Sequence, residues 1–262
     1  IGGVDPTYYK NYDDHMPGPQ RIAWIKEWLS FPESKRPHFL GLYFSKVDTA
    51  GHKFGPQSEE VKTAILEVDS NLADLDQFIH NQNLDIQIIV VSDHGMKMID
   101  RTVDISELLA KYKVKVSGRG TVVALYVEDK KQIDRLYKDA KKIKGPFKVY
   151  KATELPKRWA LEDKDRRGDV VLVGDLGTYI TFKDSKTGKD QLNTTVATHG
   201  WDTQNTQELN GIFIATGSMF KNGKEISAFD NIHVYPFVLN ILGLKEEAPI
   251  DGKLKVLKPI LK

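Results

Sequence analysis

Five residues in three short clusters have the types and placement for metal chemistry: Asp48 and His52 in VDTAGHKFGP, Asp93 and His94 in VVSDHGM, and His199 in THGWD. Imidazole nitrogen and carboxylate oxygen are the ligands zinc takes where cysteine is absent, and this chain has none. An open catalytic zinc site uses three protein ligands plus water or substrate, so five candidates exceed one site. Two cations about 4 Å apart would use all five and could stabilise both the attacking and leaving oxygens of an in-line phosphoryl displacement. Each cluster alone also has a plain structural reading. Asp93 could cap a turn, D-x-x-x-H could lie in a solvated glycine loop, and a lone His199 before a glycine says little. It is the combination, each cluster bordering an apolar strand pattern, that points to a metal-dependent enzyme.

The elements around the clusters indicate how they could meet. HFLGLYF (His38 to Phe44) and IQIIVV (Ile86 to Val91) read as short strands buried on both sides, as in a parallel sheet. Between them, apolar residues at Val61, Ile65, Val68, Leu72, Leu75 and Ile79 alternate steps of four and three, predicting one long amphipathic helix. Ser58 is its expected N-cap, with Glu59 and Glu60 complementing the helix dipole. Strand, glycine-rich loop, helix and strand form a right-handed parallel crossover. In a doubly wound sheet the ligand crevice lies at the carboxyl ends of the strands, so the loops carrying Asp48, His52, Asp93 and His94 should converge there.

Upstream, PGPQRIAWIKEWL predicts a helix with Ile22, Ile25 and Leu29 on one face. From about 105 to 185 short alternating strands and a Lys-rich helix cluster without long crossovers, the pattern of a small α+β insertion. The expected organisation is therefore an α/β catalytic core in residues 1–104, an insertion in 105–185 and the rest of the core in 186–262. In that last part GIFIATG reads as a core strand and VYPFVLNILG as a helix ended by glycine.

Composition sets outer limits. The 38 Lys and Arg nearly balance 36 Asp and Glu among 262 residues, giving no general electrostatic reason for binding a nucleic-acid duplex. No apolar run reaches the roughly 20 residues of a membrane helix. Without cysteine there is neither a disulfide framework nor a thiolate zinc site. His15, His38, His80 and His233 read as structural or solvated, and the run KKIKGPFK as a solvated basic face.

The blocks VDTAGHKFGPQS, IIVVSDHGM, THGWD and DNIHVYPFVLNILGL, in this order, resemble the ectonucleotide pyrophosphatase/phosphodiesterases of the alkaline phosphatase superfamily. The resemblance spans nearly the whole chain and implies an alkaline phosphatase-like α/β fold: a doubly wound, mainly parallel sheet flanked by helices. It also implies two Zn2+, one held by Asp48, His52 and His199, the other partly by Asp93 and His94. The family's remaining aspartate ligand and its Thr or Ser nucleophile lie upstream of the region matching YYKNYDDHMPGPQR. Neither is located in this sequence, so a missing N-terminal segment of the same protein should supply them, and residues 1–262 alone are expected not to catalyse.

The implied reaction is hydrolysis of phosphodiester or pyrophosphate bonds of nucleotides, with Tyr12 at the position where relatives stack a base. An extracytoplasmic location, periplasmic or secreted, goes with the family; Asn193 in NTT would matter only as a glycosylation site in a secretory setting. Fold and metals do not fix the substrate. A phosphomonoesterase, a phosphonoacetate hydrolase, a metal-dependent mutase, a phospholipid head-group diesterase and a non-catalytic binding module remain alternatives.

Overall fold

The computed structural model describes residues 3–163, 165–183, 195–204 and 206–262; Asn193 lies outside them. The helices are α1 (Gly18–Leu29), α2 (Lys46–Phe54), α3 (Glu59–Asn81), α4 (Ser106–Leu109), α5 (Ile133–Ala140) and α6 (Val234–Ile241). The strands are β1 (Ile88–Val91), β2 (Lys97–Met98), β3 (Arg101–Asp104), β4 (Val114–Ser117), β5 (Val122–Val127), β6 (Phe147–Lys151), β7 (Val170–Gly174), β8 (Thr178–Thr181), β9 (Ala197–Thr198) and β10 (Phe213–Thr216). The residues group into two compact units, one of Ile1–Val47, Lys62–Asp93 and Gly211–Lys262, the other of Asp48–Val61 and His94–Asn210.

In the first unit, Ile22, Ile25 and Leu29 of α1 bury their expected face against Leu75 and Ile79 of α3, with Trp28, Leu40, Leu42 and Phe44 packed around them. Helix α3 starts as its sequence predicts, the Ser58 hydroxyl accepting from Val61 N–H at 3.2 Å. It ends on Asn83 at φ 51°, where Leu84 N–H reaches back to Ile79 O in a Schellman motif. Along α3 the apolar face is uneven, since Ala64 is buried while Ile65 is exposed. Helix α6 closes as expected on Gly243, with Leu244 N–H bonded to Leu239 O. Phe237 of α6 fills the second core of this unit beside Phe220, Leu257 and Ile260.

Three local expectations change. Among the described residues His38 to Phe44 pairs with no strand. Its burial nonetheless alternates, Leu40, Leu42 and Phe44 packing inward while Phe39 and Tyr43 stand 64% and 54% exposed. One face of the segment is bare where burial on both was expected. The glycine-rich stretch after it is no loop, because Asp48 and His52 lie on α2. Strand β1, expected to be buried on both sides and to close a parallel crossover, is instead half-buried and pairs antiparallel with β10, Val90 opposite Ile214. Residues opposite each other share a face, so Ile89 and Phe213 pack toward Phe237 while Ile212 and Ile214 remain exposed.

The second unit is built on a four-stranded antiparallel sheet in the order β4-β5-β7-β6, a parallel pair β3–β8 and a short pair β2–β9. Val123, Leu125, Val170, Leu172 and Ile180 are fully buried, packing with Leu136 and Ala140 of α5. Tyr112 belongs to the same core, and its hydroxyl donates to Asp139 Oδ2 at 2.6 Å. Lys142 Nζ donates to the other oxygen at 2.7 Å.

The Lys142 and Tyr112 hydrogen bonds lower the pKa of Asp139 from 3.8 to about 2. A carboxylate held below its unfolded value stabilises the fold above that value and loses the contribution as pH falls through the folded one. Replacing Asp139 by Asn should therefore flatten the acid limb of stability between about pH 4 and 2, measured by urea denaturation at a series of pH values. An unchanged acid limb would mean that the Tyr112 and Lys142 contacts do not hold in solution.

Candidate metal centre

Helix α2 sets the centre's geometry. A four-residue spacing puts Asp48 and His52 on one helical face, with His52 Nε2 3.5 Å from Asp48 Oδ1. Gly51 faces the loop after His94; a Cβ there would lie 2.5 Å from Met96 Sδ. The glycine read from sequence as a loop former is instead the helical residue that admits Met96. The chain around His94 is pinned in turn, Gly95 N–H bonding Leu209 O at 2.8 Å, and a side chain at Gly95 would collide with Glu208 and Asn210 carbonyls.

His199 follows β9, which pairs with β2 and so ties the segment before His199 to the one after His94. Beyond it, Gly200 takes φ 97°, a conformation glycine adopts without strain. Trp201, 3% exposed, donates Nε1–H to Thr178 O at 2.7 Å. His199 is thus held on both sides by groups that take no part in ligation.

The result is a three-ligand group: one atom each from Asp48, His94 and His199, all within 4.8 Å of one another. His199 Nε2 lies 3.9 Å from Asp48 Oδ1. The His94 and His199 rings stack with centroids 3.4 Å apart, and the His52 ring lies 5.1 Å from His199. His52 Nδ1 meets Ala197 O at 2.8 Å and His94 Nδ1 meets Gly95 O at 2.9 Å. A carbonyl can only accept, so each proton sits on Nδ1, the tautomer in which Nε2 is the nitrogen that ligates a metal.

The donor set fits zinc, and one atom argues for it directly. Asp48 Oδ1 is buried and has no hydrogen-bond partner, a costly state for a carboxylate oxygen unless a cation completes it. Sequence singled out the side chains but not the carbonyls of Ala197 and Gly95 that orient two of them; backbone groups leave no residue-type signal. Asp93 stands two residues past β1, immediately before His94 in the chain. Tyr12, in the other unit, is exposed and donates its hydroxyl to Asp14.

Comparison with known proteins decides the family. The family described as Type I phosphodiesterase / nucleotide pyrophosphatase matches residues 1–202. This chain belongs to that family. Among members of the type I phosphodiesterase / nucleotide pyrophosphatase family, venom phosphodiesterase CdcPDE of Crotalus durissus collilineatus is 32% identical over 276 residues, covering all of this chain and 32% of the venom protein. Rattus norvegicus ectonucleotide pyrophosphatase/phosphodiesterase family member 3 is 29% identical, covering all of this chain and 30% of its own. The chain thus spans about a third of the length of these curated relatives. Murine ectonucleotide pyrophosphatase/phosphodiesterase 5 superposes with a TM-score of 0.88 at 28% identity, covering all of this chain and 68% of the murine one. A second structure of that murine protein is an inactive threonine-to-alanine variant in complex with AMP, TM-score 0.87. The fold is the family's alkaline phosphatase-like α/β fold.

Anything that binds the native state alone raises its stability, by about 2.7 kcal/mol at a hundredfold excess over Kd. Zinc should therefore raise the melting temperature of the metal-free protein, and Asp48→Asn or His199→Ala should remove most of that rise. Calorimetric titration with zinc, run beside the melts, checks that the ligands and not the fold have been lost.

Proposed function

We propose that this chain forms part of a zinc-dependent phosphodiesterase/nucleotide pyrophosphatase. The observation carrying the reading is the group Asp48, His94 and His199, with a buried carboxylate oxygen that no protein donor reaches. Zinc bound there would supply a Lewis acid for a phosphoryl oxygen and lower the pKa of a bound hydroxyl or water. The chain's residues hold and orient: Asp48 contributes charge, His94 and His199 contribute neutral nitrogens, and the carbonyls of Ala197 and Gly95 fix the rings of His52 and His94.

Two zinc ions are the full form of the proposal. Asp48, His52 and His199 serve one, Asp93 and His94 the other. The reaction is double displacement through a phosphorylated Thr or Ser; no hydroxyl of residues 1–262 is assigned that role. The inactive threonine variant of the murine relative supports a threonine nucleophile. Its AMP supports a nucleotide substrate, which Tyr12 would meet by stacking on the base. Residues 105–185 form an α+β insertion, a reading supported by an antiparallel sheet drawn wholly from Val114 to Gly174. No helix among the described residues is long and apolar enough to cross a membrane. The venom and ectoenzyme names of the relatives favour action outside the cytoplasm.

Full-length protein should cleave the nitrophenyl diester of thymidine monophosphate in preference to nitrophenyl phosphate, and lose activity to a chelator. The opposite preference would make it a phosphomonoesterase. Tyr12→Ala should raise KM for the nucleotide diester by roughly 5- to 150-fold, the equivalent of about 1–3 kcal/mol of base–aromatic stacking. An unchanged KM would remove Tyr12 from the substrate site.

A further inference from the structure

Tyr12 is 62% exposed, yet three groups of its own unit contact it. Its hydroxyl donates to Asp14 Oδ1 at 2.7 Å, and the same oxygen accepts from the Ser45 hydroxyl. Beneath the ring lies the Arg21 guanidinium, 5.7 Å from the centroid, and the Tyr43 ring stands 6.0 Å away, tilted 48°. Arg21 is not a passing surface charge. It is 9% exposed on α1 and spends its donors on the turn itself, Nε on Met16 O at 3.1 Å and a terminal nitrogen on Asp13 O. One buried guanidinium therefore fastens the 13–16 turn to α1 while supporting the aromatic face of Tyr12.

We infer that Asp14 and Arg21 are positioning residues for Tyr12, holding its ring as a preformed stacking platform for the planar base of a nucleotide. The inference rests on the nucleotide-hydrolase reading above and adds to it how affinity for the base is secured. A free tyrosine on a surface turn must give up rotamer freedom when a ligand stacks on it. Here the hydroxyl, held by a carboxylate, has given it up beforehand, and the cation under the ring adds an attraction specific to an aromatic face. The Ser45 and Tyr12 hydrogen bonds keep the Asp14 carboxyl below its usual pKa range, so it stays an acceptor at neutral pH. A turn that merely needed closing would require the Arg21 contacts to Asp13 and Met16, but not a hydrogen bond to the exposed Tyr12 ring.

The test compares the Kd of a 5′-nucleoside monophosphate with that of inorganic phosphate, by calorimetry on zinc-loaded full-length protein. Their ratio isolates what the base contributes. Tyr12→Phe keeps the ring and loses the anchor; Asp14→Ala loses the acceptor. Each should lower the preference for the nucleotide by roughly three- to tenfold, the range of one net hydrogen bond. The double variant should fall no further than either single one, because both remove the same restraint. Asp14→Asn, whose amide oxygen still accepts, should recover most of the preference. Melting temperatures measured alongside show that the variants fold, and a loss of stability alone does not move the ratio.

If Tyr12→Ala lowers the preference while Tyr12→Phe and Asp14→Ala leave it intact, positioning is overturned and base stacking stands. If Tyr12→Ala also leaves it intact, the stacking role falls and this inference with it. Zinc-loaded wild-type protein that binds neither ligand would sink the hydrolase reading itself.

Discussion

A carboxylate oxygen placed out of water must be met by something, and Asp48 Oδ1 is met by no protein donor. One ligand atom each of His94 and His199 lies within 4.8 Å of the Asp48 ligand atom and of one another, so a single cation could be shared by all three. The surrounding structure makes sense as a device for keeping these acceptors facing one another. Helix α2 presents Asp48 and His52 together, the β2–β9 pair joins the approaches to His94 and His199, and carbonyls occupy the outward nitrogens of His52 and His94. Such mutual crowding of acceptors is unfavourable on its own and becomes favourable around a cation.

Much of this was legible in the chain. Residue type named the candidate ligands, because without cysteine only His, Asp and Glu remain to bind a transition metal. The 3.6-residue period named α3 and its serine cap, and the glycine after VYPFVLNIL named the end of α6. What was not legible depended on distant partners. The stretch around Gly51 reads as a breaker, since glycine weakens a helix by roughly 1 kcal/mol. Its reason for being there, the sulfur of Met96, lies 45 positions away in sequence. The run from His38 to Phe44 carries a strand's composition, but composition does not state whether both faces will be covered.

The antiparallel elements of the second unit were visible as a change of rhythm, short alternating strands replacing long crossovers. Their pairing was not visible, because β7 lies between β5 and β6, against the sequential order that local turns would suggest. Likewise Tyr12 stood among three nearby tyrosines of one loop. Only the contacts of Asp14 and Arg21 separate it from Tyr8, whose ring rests on Trp28 and Phe31, and from Tyr9. Exposure alone does not make that distinction, since Tyr9 is exposed as well.

Two exposed isoleucines at the β1–β10 ribbon have a consequence for handling the protein. Ile214 on β10 and Ile212 just before it are exposed, and the second edge of β10 is unpaired among the described residues. Apolar, β-branched and open to strand addition, such an edge is a template for another copy. For residues 1–262 taken alone, association in concentrated solution should start at this ribbon before the tightly packed sheet around Leu172 yields. Charged gatekeepers at Ile212 or Ile214 are the natural place to improve solubility.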